Sequence, residues 1–597
     1  MSTGLATGLA LCIASAAQAR PHNVIIFVAD GLRSHIVTPR TAPALAALRR
    51  EGVDFQNSHS LYPTVTTPNG SAIATGHYLG DTGDFGNMLF VGRPLSPKST
   101  SSVVPLEDDG VQAQMNARYG GDYLGEESFV EAARAQGYAT AVVGKLGPAG
   151  VQDVRDRDGR GILIDDGTGR SFGVPLPPDV AAAIQAAGLP VEAPFRGANA
   201  AVGSFDKPGT KVANVVQQDW FVDVATKVLL PRFKAEKKPF VLVFWSRDPD
   251  GTQHGEGDSL NSLTPGINGP TTMAAIRNAS NDLQALRAAV AKLGLAADTD
   301  IVVTADHGFS VESRQSRTSV SATYRYPDVP AGFLPPTFAA IDLAQALGLP
   351  LYDPAGRPVD PKSGQRPRGG ALIGPDPTHP EIVIAPNGGT DLIYLPGADA
   401  KALAPRVVEA LTREDYTGAI FVRDALGSLP GTLPTSAVGL AGDARTIAPD
   451  IVVGFRSFST GCADPEVCGA EVADTDLQQG QGIHGSFGRQ DTHNFMAATG
   501  PDFRKRFVDP DPVSNADWAP TLAHALKIDF PARGHATGRA MTEALAKGET
   551  TPRVRRYTLR SAPAANGFVT VLDGQTADGR RYFDAAGMPG RTLGLRP

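Results

Sequence analysis

Unbroken apolar runs that end on a carboxylate recur along the chain: "NVIIFVAD" (23–30), "FVLVFWSRD" (240–248) and "TDIVVTADHG" (299–308). None alternates polar with apolar, which predicts strands buried on both faces of a sheet. The segments between them repeat at helical spacing. "TAPALAALRREG" (41–52) has Thr41 as a cap, Pro43 in the first turn and Gly52 as a stop. "EESFVEAARAQG" (126–137) predicts a helix before the strand "YATAVVGK" (138–145), and residues 211–233 predict a long helix before 240–248. Over 272–293, Ile276, Ala279, Leu283, Leu286, Val290 and Leu293 form one apolar stripe. Strand and helix in alternation predict an α/β fold, a mostly parallel sheet with helices on both faces. Such sheets bind ligands beyond the carboxyl ends of their strands, where Asp30, Asp248, Asp250 and Asp306 fall.

Three stretches carry weak periodicity and much Gly, Pro and polar residue: 91–120, 150–210 and 310–450. They are expected to be insertions, the last a cap or lobe beside the site. "DWAPTLAHALKI" (517–528) predicts a terminal core helix. A catalytic domain is expected over 20–547 and a hairpin-like extension over 548–597, turning near Asp573-Gly574. There is no internal repeat.

Composition adds limits. The 597 residues are 42% hydrophobic and 20% charged, an ordinary globular balance. With a net charge of −7 and no basic run, binding of nucleic acid by charge is not expected. Residues 1–19 end an apolar run on Ala17-Gln18-Ala19, which predicts a cleaved export leader too short to span a membrane. Cys12 would leave with it. Cys462 and Cys468, too few for a thiolate metal cage, then predict a local disulfide in a periplasmic or secreted protein.

The acidic strand ends stand near histidines. "DPDGTQH" sets Asp250 and His254 four apart, on one face of a helical turn; "ADHG" supplies Asp306 and His307; "GIHGSFG" places His484 between glycines. With Asp30 these make three carboxylates and three imidazoles, a donor mix that suits zinc. Six donors exceed one tetrahedral ion and match two ions sharing a cleft, roughly 3.5–4 Å apart. "YPTVTTPNG" (62–70) supplies hydroxyls, and a zinc beside Thr66 would ionise it near neutral pH. His493 is read as a loop polar residue, and His22, His35, His59 and His77 as structural.

"FVADGLR", "YPTVTTPN", "DPDGTQHG", "TADHG" and "GIHGSFG…FMAATGPDF", in that order, resemble the motifs of the alkaline phosphatase superfamily, and within it the type I phosphodiesterase/nucleotide pyrophosphatase branch. The likeness covers roughly 22–90, 125–150, 240–310 and 480–530 and implies an alkaline-phosphatase-like core. It implies two Zn2+ per chain, one on Asp30, Thr66, Asp306 and His307, the other on Asp250, His254 and His484. It also implies an asparagine 21 positions after the nucleophile that holds a phosphoryl oxygen, which is Asn87 and singles out Thr66 over Thr64 and Thr67. The reaction so implied is in-line attack by Thr66 on a small phosphate ester, through a phosphothreonine. Monoesterases of this type carry a Lys-x-Arg pair; here Lys145 is present and position 147 is Gly. Phosphomonoesterase or phosphonate hydrolase activity using Lys145 is the alternative reading. Sulfatase chemistry is not expected, because "TTPNG" lacks the residue that matures to its aldehyde. A non-catalytic metal-binding module would show a damaged nucleophile or a broken ligand set, and the sequence has neither.

Overall fold

The computed structural model describes residues 22–156, 161–548 and 551–596; the leader expected at 1–19 lies outside the described residues. At its centre is an eight-stranded sheet. Its strands in chain order are β1 (Asn23–Ala29), β2 (Val53–Phe55), β3 (Ala139–Gly144), β4 (Leu163–Asp165), β5 (Phe240–Ser246), β6 (Thr299–Thr304), β7 (Met496–Thr499) and β8 (Phe507–Asp509). Across the sheet the order is β8-β2-β7-β6-β1-β5-β3-β4. β7 is antiparallel to both its neighbours, and every other pairing is parallel.

The unbroken apolar runs are explained by helices on both faces. Ile25, Phe27 and Ala29 pack on one side with Leu45 and Leu48 of the helix Pro43–Glu51 and with Ile276, Leu283 and Leu286 of Pro270–Lys292. Val24, Ile26 and Val28 pack on the other with Phe129 and with Trp518 and Leu522 of the helix Trp518–Leu526. Neither side of β1 can be polar, so its pattern cannot alternate. The register sets Phe27 beside Phe244, their rings stacked 5.5 Å apart.

Three local expectations are corrected. Ala42, not Thr41, stands at the helix N-cap; the Thr41 hydroxyl donates to the Ile36 carbonyl and tightens the loop before it. The long helix begins at Val215 and runs to Glu236 with a π-helical segment over Val224–Leu229. Asp573-Gly574 lies inside a strand at a register shift, and the chain turns instead at Asp578-Gly579, where both residues have positive φ.

Residues 351–455 form a second, mostly antiparallel seven-stranded sheet. One face is covered by the helices Phe338–Leu347 and Ala400–Thr412. A cluster that includes Tyr62, Phe421, Phe487 and Phe583 covers the other. The C-terminal strands Val554–Arg560, Val571–Ala577 and Arg580–Gly587 make a three-stranded sheet that contributes Leu572, Phe583 and Ala586 to that cluster. No helix among the described residues is long and apolar enough to cross a membrane.

Candidate active site

Four adjacent strands end at one place. In the order β6-β1-β5-β3 their carboxyl ends lead into Asp306 and His307, Asp30, Asp250, and Lys145. Parallel neighbours bring these groups together although they lie up to 277 positions apart in the chain. Asp250 opens the short helix Asp250–Gly255, whose one turn returns His254 Nε2 to 3.1 Å from Asp250 Oδ1. His484 arrives from the loop after Gly482–Ile483, its Nε2 3.5 Å from the same oxygen. The Gly485 that follows has φ +122°, and a Cβ there would meet the Asn387 carbonyl oxygen at 2.6 Å, so only glycine lets the loop approach.

Two donor groups result. Asp30, Asp306 and His307 form one, and Asp250, His254 and His484 the other; within each, the donor atoms lie within 4.8 Å of one another. The His307 and His484 rings stack at 3.6 Å, so the groups share a wall. All three histidines engage a backbone carbonyl through Nδ1: His254 with Gly482 (2.8 Å), His307 with Gly308 (2.9 Å) and His484 with Thr64 (2.9 Å). An Nδ1–H donated to a carbonyl leaves Nε2 with a lone pair turned to the cluster, the arrangement of metal-binding imidazoles. Asp30 Oδ1, Asp250 Oδ1 and Asp306 Oδ2 are buried without a hydrogen-bond partner. Buried carboxylate oxygens without donors are costly unless a cation compensates them. The donor set therefore fits two divalent ions.

The electrostatics follow from three carboxylates packed in one dry place. Burial, with Asp250 and Asp306 beside it, pushes the Asp30 carboxyl well above its ordinary range. Burial alone would lower the His307 imidazolium, but Asp306, Asp30 and Asp250 outweigh it and raise it to about 9. Burial, reinforced by His307, pushes His484 well down.

The three threonines of "YPTVTTPNG" are each held by a different contact. Thr64 donates its hydroxyl to the Ser486 carbonyl (2.8 Å). Thr67 donates to Asp84 (3.0 Å), and its backbone N–H donates to Asn87 Oδ1 (2.8 Å). Thr66 alone faces the cluster: its Oγ1 is 3.2 Å from His307 Nε2 and 3.5 Å from Lys145 Nζ, at the first position of the helix Thr66–Thr75. A helix N-terminus favours negative charge there. Asn69 ties the loop together through Leu61, Val65 and Asn515.

Lys145 Nζ lies 2.9 Å from Asp250 Oδ2, 3.1 Å from Asp30 Oδ2 and 3.1 Å from Glu107 Oε1. Burial opposes its charge, but those carboxylates hold the ammonium well above its usual pKa. Glu107 was not singled out by sequence, since it lies in the unpatterned stretch 91–120. A signal did exist two residues past Lys145. Gly147 has φ +97°, and a Cβ there would come within 2.8 Å of the Glu107 Cα, so the space at position 147 belongs to Glu107.

Other supports were also missed. Trp245 Nε1 donates to Asp30 Oδ2 (2.7 Å), so this core tryptophan also orients a site carboxylate. Asp491 accepts from the Gly485 and Ser486 amides and shapes the His484 loop. Asp248, which the sequence already places beside the ligands, accepts from Thr252 and Asn278 and so anchors the turn carrying Asp250. Arg33, which flanks Asp30 in the sequence, donates to the Ile267 and Val467 carbonyls. Cys462 and Cys468 are joined, with Cα atoms 6.1 Å apart, in a loop separate from the cluster. A surface cavity of about 670 Å³ lies elsewhere, along Phe90, Arg93, Ser102 and His379.

A family model for type I phosphodiesterase / nucleotide pyrophosphatase matches residues 24–324, half of the chain. No curated protein matches the chain.

Proposed function

Because the chain belongs to the type I phosphodiesterase/nucleotide pyrophosphatase family of the alkaline phosphatase superfamily, and so is a phosphoric ester hydrolase, we propose that it is an exported, two-zinc phosphodiesterase with Thr66 as nucleophile. The observation that carries this reading is the position of Thr66 Oγ1, 3.2 Å from His307 Nε2, at a helix N-terminus beside buried, unpartnered carboxylate oxygens. Zinc held by Asp30, Thr66, Asp306 and His307, and by Asp250, His254 and His484, would supply the positive charge that stabilises an alkoxide at Thr66 and a departing oxygen.

The chain's own residues do the rest. Thr66 Oγ1 attacks phosphorus in line with the bond to the leaving oxygen; that bond breaks and a phosphothreonine forms. Water then attacks the same phosphorus from the vacated side and returns the threonine hydroxyl. Asn87 accepts from Thr67 through Oδ1, which leaves its Nδ2 as a donor for a phosphoryl oxygen. The chain Thr67–Asp84 and Thr67–Asn87 keeps that donor in place.

Diesters are favoured over monoesters by the Lys145–Glu107 pair. A monoester dianion brings one more negative charge than a diester, and Lys145 would bind it; Glu107, 3.1 Å away, cancels that charge. No arginine can stand at position 147, because Glu107 fills the space. Export is supported by the predicted leader and the disulfide.

The test is Thr66→Ala. Turnover of bis-p-nitrophenyl phosphate is expected to fall by about three orders of magnitude or more, with zinc content unchanged. Rates near wild type would remove Thr66 from the mechanism.

A further inference from the structure

A further group of donors shares no residue with the two at the active site. His35, five residues after Asp30, has Nδ1 2.8 Å from Asp464 Oδ2 and 3.8 Å from Glu466 Oε2. His493, nine residues after His484, has Nδ1 2.6 Å from Glu466 Oε2. The two imidazole rings meet edge to face at 4.9 Å. Donor atoms of His35, Glu466 and His493 all lie within 4.8 Å of one another.

Other clusters of these residue types differ in a decisive way. At His77, Asp81 and Glu126 the carboxylates are occupied by backbone N–H groups of Asp443, Ala536, Arg533 and Gly534. At His22, the Asp300 carboxylate accepts the Asp502 N–H and lies against a second carboxylate. In the His35 group, Asp464 Oδ2 and Glu466 Oε2 meet only imidazole nitrogens. Asp464 uses its other oxygen for the Glu466 N–H.

The loop is also prepared. Cys462 and Cys468, six positions apart, close a loop that holds both acids, and Arg33 and Asn268 fasten its Val467 carbonyl to the core. Such a clamp lowers the ordering cost of binding. His493 is only 6% exposed, so the Glu466 carboxylate is met from the protein interior as well as by the exposed His35. His35 and Asp464 are more than 40% exposed, which leaves an entry path.

From this geometry we infer a third metal site, built by His35, Asp464, Glu466 and His493, that takes a single divalent transition ion, zinc by its two-nitrogen, two-oxygen donor set. The ion would replace the protons now shared between imidazole and carboxylate, and its two charges match the two acids. Placed there it would brace both the Asp30 loop and the segment that follows His484.

The experiment compares the full chain with His35→Ala and with Glu466→Gln after dialysis against buffered micromolar zinc, with metal counted by elemental analysis. Each variant is expected to hold one zinc fewer per chain than wild type, and to lose zinc-dependent protection against heat. The difference does not depend on how many ions the active centre holds. His35 is half exposed and Glu466→Gln keeps shape, so loss of the fold does not confuse the result; circular dichroism checks it. Equal zinc content in wild type and both variants overturns the site.

Discussion

Thr64, Thr66 and Thr67 are the same residue type within four positions and have three different partners. The Ser486 carbonyl and the Asp84 carboxylate hold two of the hydroxyls, which leaves that of Thr66 to face the cluster. Glu107 shows the same logic for charge. Replacing it by glutamine keeps its shape and removes the charge that offsets Lys145. Glu107→Gln is expected to raise kcat/KM for p-nitrophenyl phosphate relative to the bis ester by about tenfold, roughly 1.4 kcal/mol of differential binding. An unchanged ratio would take Glu107 out of specificity. Lys145→Ala is expected to lower turnover of the monoester more than that of the diester, measured with the same two substrates.

At the scale of elements, the site is assembled where strands stop. The helix Pro270–Lys292 presses Asp282 against the end of β5, where Gln218 Nε2 donates to it at 2.8 Å and the Ser246 hydroxyl at 3.3 Å. Burial, with Asp248 and Asp219 nearby, pushes its carboxyl up to about 8. A folded-state pKa above the unfolded value of about 3.9 means the native chain keeps a proton that the unfolded chain has lost. The stability this contributes is complete below about pH 4 and is lost as pH rises to about 8. Asp282→Asn removes that loss. In urea titrations at pH 5 and pH 8.5, the variant should gain on wild type at the higher pH; an equal shift at both would contradict the assignment.

At the scale of the molecule, the C-terminal sheet is part of the fold it follows. His59 meets Asp584 at 2.9 Å, Tyr582 donates to Asp517 at 3.0 Å, and the Ile420 N–H donates to Thr570 at 3.1 Å. These contacts reach the catalytic core and the second sheet together. Removing residues 549–597 would uncover Tyr62, Phe421 and Phe487 and leave buried polar groups without partners. A chain ending at Gly548 is therefore expected to lose its cooperative thermal transition by circular dichroism. A melt like that of the full chain would show the sheet to be an appendage.

Sequence by itself determined the order of strands and helices, the two-faced burial of the central sheet and the types of donor at the strand ends. Those features are local: an unbroken apolar run, a carboxylate at its close, or His254 four residues from Asp250 can each be read within one segment. Tertiary structure decided which of those ends are neighbours, which contacts hold Thr64 and Thr67 away from the cluster, and that Glu107 fills the space at position 147. It also decided that His35 and His493, 458 positions apart, meet the same acid. Such juxtapositions are set by sheet order and loop packing, and contacts between distant segments leave no period or spacing in a single chain.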